Sequence, residues 1–153
     1  MAPSPYIRGI RERLGQQLLL LPSVTVLCQD DAGRVLLVRQ VDSGQWATIG
    51  GAVEPDEDPR VAAIREAKEE AGIDVQLGQV LDVLGGPAFR IRYSNGDEVA
   101  YVTSVFDARV VGGELAGDGE ETNEVAWFER GGLAEADLGS FARASLAALG
   151  WLS

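Results

Sequence analysis

Residues 51–73 read GAVEPDEDPRVAAIREAKEEAGI. Asp58 offers a side-chain oxygen suited to an N-cap, and Pro59 fits the first helical position, where its missing N–H is not needed. Gly72 suits the left-handed residue that ends a helix. Between these limits, over about residues 58–71, Val61, Ile64, Ala67 and Ala71 recur at helical spacing, which predicts an apolar face turned to a core. Glu66, Glu69 and Glu70 stand three and four residues apart and share one patch of the same helix. Two carboxylates roughly 5–6 Å apart repel by about 0.7 kcal/mol in water and by about 3 kcal/mol at an effective dielectric near 20. Arg65 reaches Glu69 at i+4, which leaves Glu66 and Glu70 without a counter-charge. Hard oxygen donors in that arrangement suit Mg²⁺. Taken by itself, ExxEE also reads as a solvated acidic helix face.

The surrounding residues decide between these readings. The stretch resembles the Nudix box: glycine, five residues, glutamate, seven residues, then Arg-Glu-aliphatic-any-Glu-Glu-any-Gly-aliphatic. The matching residues are Gly51, Glu57, Arg65, Glu66, Ala67, Glu69, Glu70, Gly72 and Ile73, Ala67 being smaller than the usual aliphatic residue. Upstream, Trp46 and the run GGAVEP at 50–55 are similar to the family's Trp, Pro-Gly-Gly and Glu-Pro-Gly-Glu, with Ile49 in place of the proline and Asp56 in place of a glycine. The resemblance covers about residues 18–149. It implies an α/β fold, the family's α/β/α sandwich with a mixed β-sheet. It also implies Mg²⁺-dependent hydrolysis, with Mn²⁺ able to substitute, of a diphosphate linkage in a nucleoside diphosphate derivative.

Roles follow from position in the resemblance. Glu66 and Glu70 are the implied metal ligands, with Glu69 and the Gly50 carbonyl beside them. Arg65 would orient the glutamates through a charge-assisted pair, and Glu57 would support a second metal or that arginine. Some branches of the family use a glutamate from a loop late in the sheet as base or ligand. The loop AGDGEETNE at 116–124 offers Glu120 and Glu121 for that role, though a solvated connection is its plain alternative. Gly117 and Gly119 resemble hinges, and with no large apolar residue to anchor it this loop is expected to be mobile, its glutamates away from the metal.

The bulk properties narrow the field. The chain has 153 residues and 46% apolar content, which suits one domain burying roughly 68–70% of its unfolded surface. No apolar run approaches a membrane span, and no signal peptide is visible at the N-terminus. The net charge of −11 argues against a nucleic acid polymer or an anionic membrane as partner. A phosphorylated small substrate is still compatible, because a bound cation inverts the local field. With no histidine in the chain, histidine triads and His–zinc sites are excluded. The single cysteine, Cys28, lies in an apolar run and reads as a buried small side chain. These features fit the cytoplasm. Nothing in the sequence fixes an oligomeric state, and a homodimer is open.

Along the chain, residues 1–5 read as loose, and Ser4-Pro5 starts a helix to about Leu14 with Tyr6, Ile7, Ile10 and Leu14 on one face. This N-terminal extension, residues 1–15, lies outside the resemblance and is read as a packing element, with a sheet edge or a second subunit as alternatives. Leu18 to Cys28 predicts a central strand, and Val35 to Gln40 a strand that forms a hairpin with it across Asp30-Asp31-Ala32-Gly33. Val75 to Leu84 predicts a strand. Phe89, Ile91 and Tyr93 alternate with Arg90 and Arg92 as a half-buried strand before the hairpin signal Asn95-Gly96. Val99 to Val111 and Val125 to Phe128 predict strands. Ser140 is expected to cap a last helix to about Leu149, with Phe141, Ala144 and Ala148 facing the core.

Substrate choice is less defined. Pro87 stands 14 residues beyond Ile73, a distance similar to that in the ADP-ribose-cleaving branch, but it is also an ordinary turn proline. Arg39, Arg90 and Arg92 are candidates for phosphate or ribose contacts, and Phe89, Tyr93 or Tyr101 for stacking on a base. Alternating arginines and aromatics also describe two faces of any sheet. ADP-ribose or a nucleotide sugar is the favoured substrate class. The alternatives are a (d)NTP pyrophosphohydrolase of the mutation-preventing, MutT-like type and a non-catalytic nucleotide-binding regulator.

Overall fold

The computed structural model describes residues 3–152. Its elements are helix α1 (Pro5–Leu14), strands β1 (Leu19–Cys28), β2 (Val35–Gln40), β3 (Trp46–Ala47) and β4 (Ile49–Ala52), helix α2 (Pro59–Ala71), strands β5 (Ile73–Leu84), β6 (Arg90–Arg92), β7 (Glu98–Gly113) and β8 (Thr122–Phe128), and helix α3 (Ser140–Ala148). One mixed sheet runs β4-β1-β7-β5, with β6 also on β7. β1 and β7 are parallel and the other pairs antiparallel. A second sheet runs β3-β2-β8.

β1 is central, as its apolar sequence predicts, and its alternate residues supply both faces. Val24, Val26 and Cys28 join Phe106 under Ala62, Ala63, Ala67 and Ala71 of α2. Leu27 and Val105 join Leu133, Leu138, Ala142 and Leu146 around α3. The result is an α/β/α arrangement. Cys28 is buried, and burial pushes its thiol up to about 12.

Several expectations change. β1 and β2 form no hairpin; they belong to different sheets and share one isolated bridge, Gln29 with Val35. Local turn signals cannot reveal that a chain changes sheets. β6 is short because Pro87–Phe89 coils into a 3₁₀ turn. In α3 the cap is Gly139 rather than Ser140, and Ala142, Ser145 and Leu146 form the buried face while Ala148 is exposed. In α1, Ser4 does cap the helix, accepting from the Ile7 N–H. Only Ile7 is buried, however, and Tyr6 and Leu14 are exposed. Of the segment expected to be loose, residues 1 and 2 lie outside the described residues, while Pro5 already begins α1. Among the described residues no helix is long and apolar enough to cross a membrane.

The largest correction concerns α2. Its cap at Asp58, its Pro59 start and left-handed Gly72 at φ 74° are as expected. Its buried face is not. Val61 and Ile64 are 56% and 45% exposed, whereas Ala62, Ala63, Glu66, Ala67, Glu70 and Ala71 are buried. The small alanines bring the helix axis close to the sheet, and the two glutamates ride inward with them.

Candidate functional site

β4 and α2 build the site together. Gly50 pairs with Thr25 and Gly51 with Val24 across the β4–β1 ladder. A Cβ on Gly50 would sit 2.2 Å from the Val24 carbonyl oxygen, so the ladder itself requires glycine there. A Cβ on Gly51 would sit 2.2 Å from Glu66 Oε1. The second glycine therefore makes room for a carboxylate.

Glu66 and Glu70 are 4% and 7% exposed. Glu70 Oε1 accepts the Gly50 N–H at 2.9 Å. Burial, then the neighbouring Glu66, holds the Glu70 carboxyl well above its usual range. Burial likewise pushes Glu66 up to about 7, despite the opposing pull of Arg65. Arg65 binds more acids than i+4 spacing suggests. Its Nε and Nη2 donate to Glu57 Oε2 and Oε1 at 2.8 and 2.9 Å, and its Nη1 to Glu66 Oε1 at 2.9 Å and Glu69 Oε2 at 3.3 Å. Nη2 also donates to the Ala52 carbonyl. The expectation that Glu66 lacks a counter-charge is thus corrected: Arg65 is adjacent in sequence but curls back along β4. Both Glu57 oxygens are engaged by Arg65, chiefly on whose account the Glu57 carboxyl lies below its usual range.

Among the described residues no group of three acids converges into a ready metal cage. The donor chemistry nonetheless fits a divalent cation. Glu66 and Glu70 are buried carboxylates that disfavour each other's ionisation, and Glu69 stands one turn from the first, sharing Arg65 with it. A hard cation would remove the repulsion and draw these oxygens together.

The late loop is pinned, contrary to the mobility its glycines suggest. Asp118 Oδ1 accepts the N–H groups of Glu120, Glu121 and Thr122. Buried Thr122 donates its hydroxyl to the Glu70 carbonyl at 2.7 Å. The Ala116 N–H reaches Ala71 O, and Val41 N–H reaches Glu121 O. Polar side chains thus provide the anchor that an apolar residue would otherwise supply. Glu121 is already at the site, where it raises the Glu66 and Glu70 carboxyls. Glu120 is exposed and lines neither cavity.

Two separate cavities lie on either side of the contact between Gly51, which lines the larger, and Glu66, which lines the smaller. The larger, about 520 Å³, touches Gly50, Gly51 and Glu70 at one end and is walled by Tyr93, Tyr101 and Phe141. The Tyr93 and Tyr101 hydroxyls are 2.5 Å apart, and Tyr101 and Phe141 stack edge to face at 5.8 Å. Gln40, Asp42 and Gln45 add polar groups. The smaller, about 250 Å³, includes Arg65, Glu66, Glu69 and Glu121. Of the three arginines singled out in the sequence, Arg92 alone lines either of these two cavities. Arg39 is bound to the Gly44 carbonyl and Glu124, and Arg90 to Glu98. Phe89 supports the wall from behind, against Phe141 at 5.3 Å, and Pro87 belongs to the turn before it. Helical spacing predicts Phe141 in the core, whereas it is half-buried and lines the cavity. Nothing in its spacing distinguishes a residue that faces core on one edge and cavity on the other.

Comparison with known proteins agrees with this geometry. The NUDIX domain matches residues 19–149. A Bacillus subtilis (strain 168) protein provisionally named an 8-oxo-dGTP diphosphatase is 32% identical over 71% of this chain and 66% of its own length, so the chain spans just under two thirds of that relative. The nucleoside triphosphatase NudI of Escherichia fergusonii is 32% identical over 84% of this chain and 97% of its own. Among solved structures, an ADP-ribose pyrophosphatase from Streptococcus suis 89-1591 superposes with a TM-score of 0.64 at 26% identity, covering 86% of this chain and 89% of its own.

Proposed function

The chain belongs to the Nudix family of hydrolases, and on that premise we propose that it cleaves the diphosphate linkage of ADP-ribose or a nucleotide sugar in the cytoplasm, with Mg²⁺ as its cation and Mn²⁺ able to replace it. The observation that carries this reading is the close packing of Gly51, in the lining of the larger cavity, against Glu66, in the lining of the smaller. An aromatic, amide-lined space within the range of small-ligand pockets has Glu70 in its lining, so a nucleoside bound there would carry its linkage to a second group towards the box glutamates.

Glu66, Glu70 and Glu69 are the ligands, with Gly50 ordering Glu70 through its N–H. Glu57 holds Arg65, and Arg65 holds the carboxylates of Glu66 and Glu69 in register. A cation bound there supplies charge neutralisation for the phosphates and lowers the pKa of a nearby water. Tyr93, Tyr101 and Phe141 position the base, Arg92 meets the ribose or phosphate, and Glu121 is placed to take a proton from water attacking in line. The scarcity of cations favours a diphosphate over a triphosphate. Arg92 is the one arginine in the larger cavity, and Arg65 in the smaller is already shared among three glutamates. Hydroxyls of a sugar would instead find acceptors at Glu54 and Glu69.

The names of the Bacillus and Escherichia relatives favour a second reading, cleavage of (d)NTPs to monophosphate and pyrophosphate. Hydrolysis of a nucleotide panel in Mg²⁺ decides between them. Ribose 5-phosphate or a sugar phosphate supports the first reading and pyrophosphate the second. Full turnover in EDTA would overturn both.

A further inference from the structure

The part of the chain outside the family match contributes to the site. α1 is strapped across the sheet at both ends. Arg11 donates to the carbonyls of Gly15, Gln17 and Glu98 and pairs with Asp97 at 3.6 Å. This fixes the C-terminal end of the helix to the β6–β7 hairpin. At the other end Ile7 is buried with Leu19, Leu21, Ala52, Val99 and Tyr101. Ser4 and Ile7 line the smaller cavity together with Ala52, Glu54, Arg65, Glu66, Glu69 and Glu121. Ile7 therefore shares one buried cluster with Tyr101, which walls the larger cavity, while lining the smaller one itself.

We infer that Ile7, with Ser4, is a specificity-determining wall that limits the size of the group leaving from the smaller cavity. The inference rests on the reading above that the scissile linkage lies over the box glutamates. The nucleoside occupies the 520 Å³ side, so the other half of the substrate must occupy the 250 Å³ side. That volume falls below the roughly 300 Å³ at which pockets begin to hold drug-sized ligands. A phosphorylated pentose or pyrophosphate fits that space more readily than a second nucleoside, which would extend past exposed Glu69 into solvent. The family match begins at residue 19, so this limit belongs to the N-terminal extension and can differ between relatives with the same box.

The test measures kcat and KM for a nucleoside triphosphate, ADP-ribose and a diadenosine diphosphate, comparing wild type with Ile7→Ala and Ile7→Phe. Calorimetric binding of non-hydrolysable methylene analogues of the same three in Ca²⁺ gives a readout besides turnover, and thermal melts confirm that each variant is folded. Wild type should prefer the two smaller leaving groups. Ile7→Ala should raise the kcat/KM ratio of the dinucleotide to ADP-ribose at least tenfold, through KM and with matching analogue affinity, and Ile7→Phe should lower the ADP-ribose to triphosphate ratio. Both substitutions disturb packing, so a merely structural role would lower all rates together. Folded variants whose ratios stay within twofold of wild type would overturn the inference and leave the proposed function intact. Wild type inert toward all three and toward a nucleotide sugar would overturn the proposed function and the inference with it.

Discussion

Ionising Glu66 in the metal-free protein should cost stability, and replacing it should remove that cost. Its carboxyl is held at about 7 against 4.5 in the unfolded chain. Between those values the folded state keeps a proton that the unfolded state has lost. Stability is therefore full below about pH 4.5, falls as pH rises through the window, and is lowest above 7. The difference corresponds to about 3 kcal/mol, and Glu66 is too deeply buried for solvent to screen much of it. Urea denaturation in EDTA at pH 4.5 and pH 8 should show wild type losing more stability than Glu66→Gln by about that amount. The attraction of Arg65 for the ionised carboxylate is already contained in the value of about 7, and loss of the Glu66 charge also eases ionisation of Glu70, which widens the difference in the same direction. Mg²⁺ at pH 8 should restore wild type and leave the variant nearly unchanged. Parallel pH dependence of the two proteins, within about 0.5 kcal/mol, would refute the assignment of Glu66 as a buried, strained carboxylate.

Three further outcomes are expected. Glu70→Gln should reduce turnover by several orders of magnitude while circular dichroism and melting show an intact fold, because Gln can still accept the Gly50 N–H. Gly51→Ala should displace only the end of the Glu66 side chain, weakening Mg²⁺ binding in titration calorimetry with a small change in Tm, whereas Gly50→Ala meets the Val24 carbonyl and should destabilise the protein by about 3 kcal/mol or more in denaturant melts. Glu121→Gln should lower kcat far more than it raises KM, while Glu120→Gln should leave kinetics near wild type; equal effects would remove Glu121 from the proton transfer.

The sequence by itself determined a good deal. The box spacing and the caps at Asp58 and Gly72 place α2 to within a residue, because capping and left-handed termination are local properties. The same spacing puts Glu66, Glu69 and Glu70 on one patch, and the apolar run of β1 makes it central. The tertiary structure decided which side of α2 is inside. Periodicity assigns Val61 and Ile64 to the core because they are the most apolar residues of the helix. Close approach to a sheet selects alanines instead, and two glutamates are buried with them. The partners of Arg65 also depended on the fold, since Glu57 folds back across eight positions of sequence. The order of the late loop depended on Asp118 accepting three backbone N–H groups and on Thr122 reaching the Glu70 carbonyl, contacts that an apolar-anchor argument does not count. Arg92 lines a cavity while Arg39 and Arg90 are occupied by Glu124 and Glu98, although all three look alike in sequence. The N-terminal end of α1 lies at the acidic patch because its register with Leu19, Leu21 and Ala52 is set by packing between elements, and no motif within residues 3–14 encodes where that surface lies.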